Sequence, residues 1–128
     1  MIFNPLFAQT RGLLSPSEEL WLKSRNNTIV AYPEENFPPY SYKNSAGNPQ
    51  GLSVDYLELI AEKIGAKIEY LTPRPRSQII SDIKLGKGDV VTALTPDIEK
   101  EEFLIFTGNY LASPAVIVVR KDYNSSGG

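Results

Sequence analysis

Phe37, Tyr40 and Tyr42 crowd into one stretch beside Pro38 and Pro39, and they are the first residues here with recognition chemistry. Aromatic faces give a ligand apolar contact, and Tyr adds a hydroxyl. For Phe37 and Tyr40 two roles stay open: lids packed over a sheet, or an aromatic wall for a ligand. Arg74 and Arg76 alternate with Pro73 and Pro75. Their guanidiniums offer planar forks of donors to an anion, Arg76 foremost, unless the stretch is a solvated turn. Thr92 and Thr95 bring hydroxyls that, with exposed backbone amides, can hold a carboxylate or amide. Glu34, Glu35 and Asp55 read as surface carboxylates before site groups. The chain has no His and no Cys, so the commonest general base, the commonest zinc ligand and any thiolate chemistry are missing. No phosphate-binding glycine loop is present. Catalysis, metal and cofactor are therefore not expected.

These residues need positioning, and the surrounding pattern supplies it. Thr28, Ile29, Val30, Ala31 and Tyr32 form a short strand stopped by Pro33. Residues 33–51 make a loop long enough to be functional. Ser45, Gly47 and Pro49 mark a turn that folds Tyr40–Tyr42 and residues near Gly51 into a small hairpin. Leu57, Ile60, Ala61 and Ile64 fall at i, i+3, i+4 and i+7, a helical face that Gly65 ends. Residues 67–71 read as a second strand, 78–85 as a second helix and 89–94 as a third strand. Two successive βαβ units imply a parallel α/β sheet with right-handed crossovers. Ligands on such sheets sit beyond the carboxyl ends of strands, where the aromatic loop, the Arg pair and the threonines all lie. Residues 115–120, with four β-branched residues in a row, predict a fourth strand buried on both faces. Upstream, Ser15-Pro-Ser-Glu18 has the form of a capping box opening a short helix that ends near Asn26 and Asn27. Trp21 is the expected anchor of that helix.

The 128 residues suit one domain or one lobe of a larger one. Thirteen basic and 15 acidic residues are well mixed, giving a formal net charge of −2. With no basic stripe, nucleic acid is not an expected partner. No apolar run reaches the ~20 residues of a membrane span. Residues 1–12 read as an arm or the remnant of a secretory signal, and 124–128 as a polar linker or tail.

Pro38-Pro39-Tyr40-Ser-Tyr42, Gly47, Gly51, Asp55-Tyr56, Gly65, Gly86-Lys-Gly-Asp89, Thr95, Phe106-Thr107 and Tyr110 follow one another in an order that resembles the family 3 bacterial extracellular solute-binding proteins, which are type II periplasmic-binding or Venus-flytrap domains. Residues 14–22 resemble the lead-in helix of the BvgS-like sensor-protein subgroup. The resemblance covers residues 13–123. It implies an α/β fold: a parallel-sheet lobe with helices on both faces, incomplete relative to the family's two lobes. A missing second lobe or a homodimer partner is then expected to cover the open face. Tyr40 matches the family's stacking ring, and Thr95 lies near the groups that receive the ligand. The family's amino-acid binders clamp the ligand carboxylate with an Arg six residues before the Phe of a Phe-Ser/Thr-x-x-Tyr stretch; Lys100 holds that place here. Lys keeps the charge but loses the fork. Asn109 stands where the family has Pro.

The implied function is an extracytoplasmic, periplasmic sensory domain binding a small polar or anionic ligand, in a parent of histidine kinase or diguanylate cyclase type. The membrane enters only through that parent. The alternatives are the soluble binding component of an ABC importer and, more remotely, an enzyme on the same scaffold.

Overall fold

In the computed structural model, residues 12–122 are described. The expected N-terminal arm and C-terminal tail lie outside these, except for Gly12. The chain divides after Thr95 into two compact units, Met1–Thr95 and Pro96–Gly128.

The first unit is built on β1 (Thr28–Tyr32). Its neighbours are β5 (Lys67–Tyr70) and β6 (Val90–Val91), in the order β5-β1-β6. Both pairings are parallel: Thr28 aligns with Lys67, Ala31 with Tyr70 on one side and with Val90 on the other. Ala31 and Tyr32 are both buried although they point to opposite faces, as a central parallel strand requires. The third strand was expected over 89–94 but spans two residues. Asp89 is spent on other work: its Oδ2 accepts the Val30 N–H at 2.8 Å and the Arg25 guanidinium at 2.7 Å.

Helix α1 (Pro16–Ser24) opens on the capping box read from the sequence. Ser15 Oγ accepts from Glu18 N–H, and Glu18 accepts from Ser15 N–H at 2.7 Å. Leu22, not Trp21, is its buried anchor. Trp21 is largely exposed, with the Arg25 guanidinium 5.0 Å over its ring. The reason is angular: residues 21 and 22 point a hundred degrees apart, and only one can face the sheet.

Helix α2 (Leu52–Ile64) links β1 to β5, and Gly65 closes it in the left-handed region at φ 70°. Its buried face is Ser53, Val54 and Ala61. Ile60, expected on that face, is half exposed, because the stripe is set by 54, 57 and 61. Helix α3 (Arg76–Lys84) links β5 to β6 and buries Ile79 and Asp82. Right-handed crossovers leaving β1 in one direction and recrossing it in the other place α2 and α3 on opposite faces.

Between β1 and α2 lies a small antiparallel sheet of β2 (Asn36–Phe37), β3 (Ser41–Lys43) and β4 (Pro49–Gln50). The expected hairpin is there, with Tyr42 opposite Gln50, and β2 adds a third strand. Gly51 lets it pack against α2: a Cβ there would stand 2.4 Å from the Tyr40 carbonyl oxygen. That approach lets Leu52 and Ser53 donate their N–H groups to the carbonyls of Pro39 and Tyr40 at 3.0 and 2.8 Å.

The described residues of the second unit form a short helix, α4 (Ile98–Glu101), capped by Asp97. The fourth strand predicted over residues 115–120 does not form. That run carries no regular secondary structure, and Val116, Ile117 and Val118 are 77–93% exposed. β-branched residues favour extended backbone, but a strand also needs a neighbour to take its backbone hydrogen bonds, and none among the described residues pairs with it.

Candidate ligand-binding site

Phe37, Tyr40 and Arg76 come together where β1 ends. The Phe37 and Tyr40 rings are tilted at 49° with centroids 5.1 Å apart. The Arg76 guanidinium carbon lies 5.0 Å from the Phe37 ring centroid, a cation–π contact. Both rings are half-buried, so each is partly packing and partly wall.

Arg76 is not a free anion clamp. Its Nε donates to Glu34 Oε2 at 3.1 Å, and its Nη2 lies 3.0 Å from the same oxygen in an ion pair. Glu34, expected at the surface, is only 8% exposed. Its backbone is fixed twice, by a parallel bridge to Arg74 and by Ser41 Oγ donating to its carbonyl at 3.0 Å. Glu35 is the solvated member of the pair, 3.5 Å from Lys43. Position at a strand's carboxyl end was the signal that could have found Glu34.

Thr92 is joined to this group through the hairpin: its hydroxyl donates to Ser41 Oγ at 3.3 Å, and both residues are buried. Ser41 directly follows Tyr40. Thr95 is exposed at the end of the first unit. Lys100 belongs to the second unit, on α4, where its ammonium pairs with the Asp97 carboxylate. That donor and the Lys100 backbone N–H hold the Asp97 carboxyl below its ordinary range.

A separate open cavity of about 610 Å³ lies toward α3, lined by Tyr32, Leu71, Thr72, Arg74, Gln78, Asp82, Lys87 and Gly88. On its wall the buried Tyr32 hydroxyl donates to Asp82 Oδ2. Gln78 and Lys87 donate to Oδ1 at 3.2 and 3.4 Å. The Tyr32 hydrogen bond, followed by the Gln78 and Lys87 donors, holds the Asp82 carboxyl below its ordinary range. Burial, with that carboxylate beside it, raises the Tyr32 phenol. Among the described residues, no group of three His, Cys, Asp or Glu side chains is arranged to hold a metal ion.

Residues 29–126 match the bacterial extracellular solute-binding proteins, family 3. The chain belongs to that family. Its parallel-sheet lobe also resembles domain 1 of TmArgBP, crystallised as a Phe57Trp mutant in its arginine-bound form, with a TM-score of 0.61 at 24% identity over 71% of this chain and 70% of that one. An ancestral arginine-binding protein, bound to arginine, is 33% identical over 60% of this chain and 34% of its own, with a TM-score of 0.54. Among curated proteins, the chain is 26% identical over 102 residues to a probable amino-acid ABC transporter-binding protein of Haemophilus influenzae. It is 26% identical over 108 residues to the virulence sensor protein BvgS of Bordetella pertussis. The matches cover 79% and 84% of this chain, but only 39% and 9% of those relatives.

Proposed function

We propose that this solute-binding lobe belongs to an extracytoplasmic sensory domain that binds a small polar solute, amino-acid-like in size and chemistry. The observation that carries the reading is the meeting of Phe37, Tyr40 and the Glu34–Arg76 pair at the carboxyl end of the central parallel strand. There a ligand meets ring faces and charged donors together, in a place open α/β sheets use for binding. Thr92, joined to the hairpin through Ser41, and Thr95 extend that rim within the first unit. The likeness to BvgS favours the sensory role, as does the lead-in helix α1, which Arg25 fastens to the sheet through Asp89. In such a parent, ligand stabilises the closed two-lobed state, and the population shift carries the signal across the membrane. A periplasmic location follows from the same reading. An importer's binding component is the second reading, favoured by the Haemophilus relative. The gene sequence downstream separates the two, since kinase or cyclase modules belong only to the first.

The test is a thermal-shift screen of this chain against the proteinogenic amino acids and small carboxylates, followed by calorimetry on hits. A lobe without its opposite wall should bind weakly but measurably. At least one solute should raise Tm, and Phe37→Ala should weaken its binding about tenfold, the loss of one buried aromatic contact. No shift from any solute, or a hit indifferent to Phe37, would contradict the proposal.

A further inference from the structure

We propose that Arg76 is a tethered stand-in for a cationic ligand, so that the rim excludes guanidinium-bearing solutes until Arg76 is removed. This rests on the rim being the ligand site. The guanidinium meets both a carboxylate and an aromatic face, at 3.0–3.1 Å from Glu34 Oε2 and 5.0 Å from the Phe37 centroid. An ion pair together with a ring face is what a free guanidinium would need for recognition. The chain supplies that group itself from the first residue of α3, 42 positions from Glu34.

Two consequences follow from charge and tethering. Glu34 is 8% exposed and already neutralised, so the pair is net zero and gives an incoming cation no excess attraction. A free cation must also displace a group whose effective concentration at the site is set by attachment rather than by dilution. Its apparent affinity falls by the fraction of time Arg76 vacates the position. The solutes left to wild type are neutral or anionic ones, which can use the outward-facing donors of a guanidinium whose side chain is 42% exposed. Removing the guanidinium leaves Glu34 without its cation, an uncompensated charge that an incoming guanidinium would neutralise.

The experiment is calorimetry with L-arginine and with methylguanidinium on wild type, Arg76→Ala and the double variant Glu34→Gln/Arg76→Ala. Wild type should bind neither probe measurably. Arg76→Ala should gain binding of both by at least about tenfold over wild type, and the double variant should lose that gain. If Arg76→Ala is unfolded alone, refolding on addition of either probe, followed by circular dichroism, is the expected result, because a ligand of the native state alone stabilises it. Wild type binding arginine as tightly as Arg76→Ala would overturn the inference. So would a gain that survives Glu34→Gln, or an unfolded Arg76→Ala that neither probe rescues. A solute that binds wild type through Phe37 while Arg76→Ala gains nothing would sink this inference and leave the proposed function standing. Absence of any Phe37-dependent solute would sink the proposed function instead.

Discussion

Tyr32 holds its hydroxyl against Asp82 where β1 meets α3, and the consequence is a pH dependence with a definite sign. The Asp82 carboxyl titrates lower in the folded chain than in the unfolded one. The unfolded state therefore binds the proton more readily, and stability rises with pH through that window. The contribution is present above the ordinary carboxylate value of about 3.9 and is lost as pH falls below it toward the folded value. Urea midpoints measured from neutral pH down to acid should fall, and Asp82→Asn should flatten that slope. Tyr32→Phe should cost about 1 kcal/mol at neutral pH in the same assay, the net value of a hydrogen bond. Residue types at this scale were legible in the sequence, but partners were not. Arg76 was visible as a cation and Glu34 as an acid; that one would neutralise the other depends on β1 and α3 meeting, which no local pattern encodes.

At the scale of elements, the chain declares itself where structure is local. The capping box of α1 and the Gly65 stop of α2 depend on residues within a turn of each other, and both stand as read. Residues 115–120 have strand composition, but a strand needs a distant partner, and none among the described residues pairs with them. Two packing contacts carry predictions. Gly51 has φ 127° and the Tyr40 carbonyl pressed against it, so Gly51→Ala combines a forbidden backbone with a clash. It should cost roughly 1–3 kcal/mol or more, read by denaturant unfolding, and should loosen the aromatic hairpin. Leu22→Ala should destabilise by about 2–5 kcal/mol through the cavity it leaves, whereas Leu20→Ala, on the exposed side of α1, should lie within about 0.5 kcal/mol of wild type.

Over the whole molecule, burial is concentrated in the first of the two compact units. The parallel sheet packs Ala31, Tyr32, Val54 and Ile79 into a core, while Val116 to Val119 lie exposed. Backbone amides of β1 should resist hydrogen exchange to near the global unfolding limit, and those of residues 116–119 should exchange fast. The family's order of motifs made the lobe legible ahead of any coordinates, because glycine and proline positions mark strand and helix ends. What that order could not give was which rim groups are already satisfied within the chain. The most direct measurement is an amide NMR titration of the chain with whichever solute raises its Tm. Shifts should gather at Phe37, Tyr40, Ser41, Arg76 and Thr92. Shifts confined to Tyr32, Leu71, Thr72 and Lys87 around the other cavity would contradict a ligand site built on Phe37, Tyr40 and Arg76.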